Sequence, residues 1–329
     1  KEENKVRRGI TEKELVLPED LKDLVANLLE GRRDPWHYWH NGTTASVIEK
    51  INYIRKPSCI ALIDTDPENP PEGQVNMDPI IDNFILGADG VIGMSKNTGT
   101  IPTEVPAVLR GITKRKVIRR CKEENRDWYY IDTGYFGNGK KKLYHRITKN
   151  NMQYTGKIHE DCPDDRFIKT GVSINPPRPG SKILVCPPSQ KAMNYWDMDL
   201  QEWLKITVDD IKKHTDRPVV IREKGTRTER VNTDTMEMAL SQDIHCMVTF
   251  NSIAAVESLI YGKPVFTMGP AGTNAAEPFS NKDLKDIDNP FMPTMDETRN
   301  LLCNLAYQQF TVHEMRSGYA WERLHSNGF

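Results

Sequence analysis

The sequence predicts an α/β protein built as two domains, and three observations carry that expectation. The chain has 329 residues, enough to bury two separate cores. Short apolar runs alternate with amphipathic stretches, most regularly after residue 181. Finally, Asn175-Pro176-Pro177-Arg178-Pro179-Gly180 sets three prolines in six residues, which neither a helix nor a central strand continues. Segment 175–180 therefore reads as a linker between an N-terminal domain, 1–174, and a C-terminal domain, 181–300. Residues 301–329 read as a late helix and tail expected to pack back on the N-terminal domain.

Taken in order, Glu12 to Glu30 has the spacing of an amphipathic helix, with Leu15, Leu21, Leu24, Val25, Leu28 and Leu29 apolar and Gly31 as a stop. A second helix is expected from Thr43 or Thr44 to Tyr53. Cys59 to Asp64 is a short apolar run ending in an acid, the pattern of a buried strand. Further strands are expected at Phe84-Ile85-Leu86, Gly90-Val91-Ile92, Val117-Ile118 and Trp128 to Asp132, with a Pro- and Glu-rich loop at 66–73. Beyond the linker the alternation is regular. Strands are expected at 182–186, 218–222, 245–250 and 263–268, and helices at 200–214, 235–241, 253–261 and 301–310. That is the pattern of a doubly wound parallel sheet.

Composition narrows the class. Charged residues make up 28% and hydrophobic residues 37%, as in ordinary globular proteins, and no apolar run approaches the roughly 20 residues that span a bilayer. The first residues are charged with no apolar stretch behind them, so no signal peptide is expected and a cytoplasmic location is. Cys59, Cys121, Cys162, Cys186, Cys246 and Cys303 form no CxxC pair, so free thiols are expected rather than a zinc site or a disulfide framework. His37 and His40 lie in an aromatic cluster with no evident third ligand, so no metal is expected. One charge asymmetry stands out. Between Arg110 and Lys157 there are 14 Lys and Arg against 4 Asp and Glu, in a chain whose formal net charge is −1. Such a segment suits an anionic partner.

The most informative stretch is Thr249-Phe250-Asn251-Ser252 through Glu257 to Gly262-Lys263-Pro264-Val265. A strand ends at Phe250, and Asn251 or Ser252 suits the cap of the next helix. In an open α/β sheet, ligands bind beyond the carboxyl ends of the strands, where backbone N–H groups face an anion. A diphosphate fits there, and Glu257 is placed to accept hydrogen bonds from a ribose diol. The plainer reading is a solvated Glu257 on a generic helix-to-strand connection.

This stretch resembles the donor-site signature of the GT-B glycosyltransferases. Glu257, Ser258, Leu259, Gly262, Pro264 and Val265 fill the signature's places, and Asn251-Ser252 ahead of them resembles the capsule-polysaccharide branch that includes Kdo transferases. The likeness spans roughly 181–270 and is poor in the N-terminal half. It implies two Rossmann-like domains facing each other across a cleft, a nucleotide-sugar donor (a UDP-sugar by expectation) and no tightly bound cofactor. It also implies Glu257 on the donor ribose and Ser252 with nearby amides on its phosphates. Arg222 and Lys224, just after the 218–222 strand, are expected to neutralise the diphosphate as the nucleotide departs, or else to pair with local acids. Ser189, after the first strand of this half, is a further phosphate candidate.

For the acceptor, Asp132 at the end of the 128–132 strand is the expected general base, with Glu160, Asp161 and Asp64 as rivals. The alternative is that Asp132 caps the turn at Thr133-Gly134. Lys114, Arg115, Lys116, Arg119, Arg120, Lys140, Lys141, Lys142, Arg146 and Lys149 are interleaved with Trp128, Tyr129, Tyr130, Tyr135, Phe136, Tyr144 and His145. Cations that pair with phosphates beside rings that stack on bases suit nucleic acid. The run Tyr130-Ile131-Asp132-Thr133-Gly134-Tyr135-Phe136-Gly137-Asn138 resembles phage-encoded glycosyltransferases, some of which modify hydroxymethylated pyrimidines. The expected acceptor is therefore double-stranded DNA carrying such bases. Solvated charges over a core of aromatics are the alternative, as are a polysaccharide or glycolipid acceptor. An epimerase acting on the nucleotide sugar alone, and a non-catalytic nucleic-acid-binding protein, are the competing functions.

Overall fold

The computed structural model describes residues 57–63, 79–94, 103–112, 115–139, 142–223 and 235–326. The helices read at 12–30 and 43–53, His37, His40 and the 66–73 loop lie outside them. Two compact units are present. One comprises residues up to Ile131 together with Val312–Asn327, and the other runs from Asp132 to Thr311.

In the first unit, β1 (Ile60–Ile63) pairs in parallel with β2 (Val91–Met94) on one side and β3 (Ala107–Arg110) on the other. β3 pairs in parallel with β4 (Trp128–Thr133), whose last two residues belong to the second unit. Between the strands lie α1 (Pro79–Ala88) and α2 (Arg115–Glu123). Two sequence expectations are corrected here. Phe84-Ile85-Leu86 and Val117-Ile118 are helical, not strands. In α1 the buried residues Ile81, Phe84, Ile85 and Ala88 recur every three to four positions, the period of one helix face. Val117, Ile118 and Cys121 do the same in α2, so a short apolar triplet or pair misled as to period. The unit is completed by α9 (Val312–Arg316) and α10 (Tyr319–His325), both packed on α1. The Tyr129 hydroxyl lies 2.9 Å from His325 Nε2, within a cluster of Phe84, Tyr129, Trp321 and His325 rings.

The second unit holds a four-stranded, wholly parallel sheet in the order β7-β6-β8-β9. The strands are β6 (Lys182–Cys186), β7 (Val219–Ile221), β8 (Ile244–Thr249) and β9 (Val265–Thr267). Side chains alternate between its two faces. Ile183, Val185, Cys246, Val248 and Phe266 join a core with Met193, Trp203 and Ile211. Leu184, Cys186, Met247 and Val265 join another with Ala255, Leu259, Leu301, Leu305 and Phe136. Both faces are thus covered, which is why β6 and β8 read as continuous apolar runs.

Among the described residues, the α-helices of this unit are α3 (Asp165–Lys169), α4 (Gln190–Trp196), α5 (Leu200–His214), α6 (Met236–Leu240), α7 (Ala254–Ile260) and α8 (Met295–Ala306). α5 has the bounds read from the sequence, and its cap Asp199 accepts the Glu202 N–H at 2.8 Å. The helix expected at 301–310 starts earlier, at a Thr294/Glu297 capping box, and stops at Ala306. The chain then enters β10 (Gln309–Thr311), antiparallel to β5 (Tyr144–Lys149). The Pro-rich segment 175–180 lies within this unit, as do residues 132–174.

The loop after α5 is held by Asp288, which accepts from Thr215 Oγ1 at 2.7 Å and pairs with Arg217 Nε at 2.9 Å. The Thr215 hydrogen bond, then Arg217, lowers the Asp288 carboxyl below its ordinary 3.8. A carboxyl held low stabilises the fold fully above its ordinary value, and the gain is lost as pH falls through the lower folded value. Asp288→Asn is expected to flatten the acid side of the melting-temperature profile below about pH 5. An unchanged slope would mean that the pair contributes nothing.

Candidate functional site

The strand order reverses direction at β6. The chain adds β7 on one side of β6, then crosses back to add β8 and β9 on the other. At such a switch point the loops leaving the two central strands diverge and open a crevice beyond their carboxyl ends. Those loops are Pro187-Pro188-Ser189 after β6 and Phe250 to Ile253 after β8.

Three sequence-predicted donor residues stand on these loops. Ser189 caps α4 and accepts the Ala192 N–H at 3.4 Å. Asn251 and Ser252 are half-buried, and Ser252 Oγ accepts the Ala254 N–H at 3.2 Å. The Ser252 carbonyl accepts from the Ala255 N–H and from Asn274 Nδ2, each at 3.1 Å. The Asn251 carbonyl accepts from Gln153 Nε2. Among the described residues, none accepts from the backbone N–H of Ser252 or Ile253. Arg222 comes directly after β7, at the same carboxyl edge, and its N–H donates to the Val185 carbonyl at 2.9 Å. Lys224 lies outside the described residues. Glu257 sits in the first turn of α7, half-buried. Burial, with the charges of Glu237 and Glu257, raises the Tyr261 phenol above its ordinary value.

Gly262, which the sequence offered as part of the signature, and its neighbour Lys263 serve the fold. Gly262 has φ +67°, and a Cβ there would stand 2.3 Å from the Pro176 carbonyl oxygen. Lys263 is 3% exposed, and its ammonium donates to the carbonyls of Ile244 at 2.6 Å, Arg178 at 3.1 Å and Pro179 at 3.4 Å. Together with Asn175 N–H to Ile260 O and Arg178 N–H to Gly262 O, these bonds clasp segment 175–180 against the end of α7.

The acceptor candidates divide. Asp132 accepts the Thr133 N–H at 2.7 Å, the turn-capping alternative, and pairs with Arg146 at 3.1 Å; its side chain is 39% exposed. Arg146 and Tyr135 are corrected: neither offers itself to an external ligand. Arg146 is buried and donates to the carbonyls of Met152, at 2.9 Å, and Thr133. Tyr135 is 1% exposed, and its oxygen accepts the Tyr154 N–H at 2.7 Å. Burial pushes its phenol up to about 12. Trp128, Tyr129, Tyr130, Phe136 and His145 are likewise buried, so the rings read as a stacking surface are core. Arg120 pairs with Glu124 on α2 at 2.6 Å, Arg119 is half-buried on the same helix, and Arg115 opens it. Lys142 is exposed, and Tyr144 is half-buried at the start of β5. Glu160 and Asp161 are exposed. Lys114, Lys140, Lys141 and Asp64 lie outside the described residues.

The structure also brings forward Gln153, which the sequence did not single out, and gives a place to Asn274, the last residue of the 269–274 loop that the sequence offers as a cover for the sugar or as a plain loop. Gln153 and Asn274 are both buried against the 250–253 turn. Nothing marks Gln153 in the polar run Asn150-Asn151-Met152-Gln153; only its partners do. Among the described residues no three His, Cys, Asp or Glu side chains gather as metal ligands would, and no helix is long and apolar enough to cross a membrane.

Neither a protein-family model nor a curated protein matches the chain. Solved structures that are distantly similar include two from one organism. One is the Thermosulfurimonas dismutans KpsC beta Kdo 2,7 transferase, at 12% identity over 82% of this chain and 100% of that one, with a TM-score of 0.46. The other is the beta Kdo 2,4 transferase of the same KpsC, at 11% identity over 79% and 94%, with a TM-score of 0.42. Likeness this distant assigns neither a family nor an activity.

Proposed function

We propose that the protein is a glycosyltransferase that moves a sugar from a nucleotide-sugar donor, a UDP-sugar, to an acceptor hydroxyl. The observation that supports the reading is that Ser189 and Asn251-Ser252 stand on the loops leaving the adjacent strands β6 and β8, at the switch point of the second unit's sheet, and that no described residue engages the N–H groups of Ser252 and Ile253. In this reading the donor diphosphate takes the N–H groups of Ser252 and Ile253. Arg222 and Lys224 offset the charge that builds on the departing nucleotide, and Glu257 accepts from the ribose. Asp132 is the proposed base, its carboxylate oriented by the Thr133 N–H on one oxygen and Arg146 on the other. The acceptor is proposed to be a 5-hydroxymethylpyrimidine in DNA, with the exposed Lys142 of the same unit as a phosphate contact.

The test is a thermal-shift titration against UDP, GDP, CMP and their sugars. A nucleotide present at 100 times its Kd is expected to stabilise the wild type by about 2.7 kcal/mol. Glu257→Ala is expected to keep the unliganded melting temperature and to lose most of that gain. A variant that binds the donor as well as wild type would remove the ribose assignment. Interconversion of nucleotide sugars without any acceptor would favour the epimerase.

A further inference from the structure

We infer that Gln153 and Asn274 are positioning residues that set the 250–253 turn in its ligand-ready shape; the inference rests on the donor reading of that turn. The two amides come from separate segments and are 4% and 1% exposed. Gln153 donates through Nε2 to the Asn251 carbonyl and accepts the Ala275 N–H at 3.0 Å. Asn274 donates through Nδ2 to the Ser252 carbonyl at 3.1 Å and accepts the Ala276 N–H at 2.9 Å. Two consecutive carbonyls of the turn are therefore each held by a buried amide. In a planar trans peptide the carbonyl and the N–H of the next residue point in opposite directions. Fixing Asn251 O and Ser252 O fixes where the N–H groups of Ser252 and Ile253 point, which is away from the amides.

The chemistry requires amides at both positions. Each side chain donates to one loop and accepts from another, which a carboxylate or an aliphatic side chain of the same size cannot do. Gln153 thereby couples the 250–253 turn to the 269–276 loop. Asn151 adds a second tie by donating to the Gly272 carbonyl at 2.8 Å. Pre-organisation of this kind lowers the ordering cost of binding without adding a ligand contact.

The test compares Gln153→Met and Asn274→Ala with Asn304→Leu. Asn304 is an equally buried amide of the same unit that bonds His159 instead. Wild type and variants are titrated with UDP, GDP and CMP, and amide hydrogen exchange is measured at residues 251–254 and 272–276. The expected result is a nucleotide Kd raised about tenfold in the Gln153 and Asn274 variants. Exchange should quicken at 251–254 in both, and also at 272–276 in Gln153→Met, while Asn304→Leu lowers the melting temperature with affinity and loop exchange unchanged. The inference is overturned if Asn304→Leu weakens nucleotide binding equally, or if the other two leave exchange at 251–254 as in wild type. If wild type binds none of the nucleotides, the donor reading falls, and the exchange pattern alone decides the positioning role. Should Gln153→Met fail to fold, Asn274→Ala gives the same readouts.

Discussion

Replacing Lys263 with alanine is expected to destabilise the second unit by about 3 kcal/mol, which for a unit of this size lowers its melting temperature by about 6–12 °C. The ammonium is almost wholly buried and satisfies three backbone carbonyls, those of Ile244, Arg178 and Pro179. Hydrogen bonds from a charged donor are worth more than neutral ones. Removing the donor also leaves the carbonyls to find water in a site that has little. Some of the loss is offset because a buried ammonium is itself costly to desolvate, and that desolvation lowers the Lys263 value below the ordinary 10.5. Lys263→Met separates the contributions, since it keeps the stem and removes only the donors. Calorimetry of both variants checks the argument. A change under about 1 kcal/mol in either would mean that segment 175–180 is held by Gly262 and Asn175 alone.

Gly87→Ala is expected to have an effect of similar size on the first unit, about 3 kcal/mol. A Cβ at Gly87 would stand 1.8 Å from the Met315 carbonyl oxygen and 2.8 Å from the Gly318 nitrogen. Both are backbone atoms, so no rotamer change makes room. Either α1 shifts or α9 and α10 leave it. Gly318 has φ +88° and its Cβ position lies 3.1 Å from the Gly87 oxygen, so neither glycine at this crossing tolerates a side chain. Displacing α10 would separate Trp321 from Phe84 and Tyr129, 5.9 and 5.3 Å away between ring centres. The near-ultraviolet circular dichroism should therefore weaken along with the melting temperature. A variant that melts as wild type with its aromatic signal intact would refute this close crossing.

The contrast between these residues shows what was legible in the sequence. β6 and β8 are buried on both faces, so their apolar runs and the Asn251-Ser252 turn between β8 and α7 could be placed from pattern alone. α1 could not, because Phe84-Ile85-Leu86 is too short to reveal its period without Ile81 and Ala88. Charge misled in the opposite way. Arg146 contributes to a basic segment, yet its guanidinium reaches inward to the carbonyls of Met152 and Thr133. A charge count does not distinguish a cation that serves the backbone from one that serves a partner. The proline-rich segment was visible as an interruption, but its clasp by Gly262 and Lys263 depends on residues some 85 positions away. Gln153 acts through bonds of the same long range, to Asn251 and Ala275.

The order in which the chain is made bears on the first unit. Its strands are translated early, but α9 and α10, which cover Phe84 and Tyr129, come after the whole of 132–311. On the ribosome, the second unit has all its strands before the first has its last two helices. Until then α1 keeps an uncovered apolar face, the kind of surface that invites aggregation or a chaperone. A chain cut short after Thr311 would carry that exposed face permanently, so truncation there should cost solubility before it costs anything in the second unit's sheet.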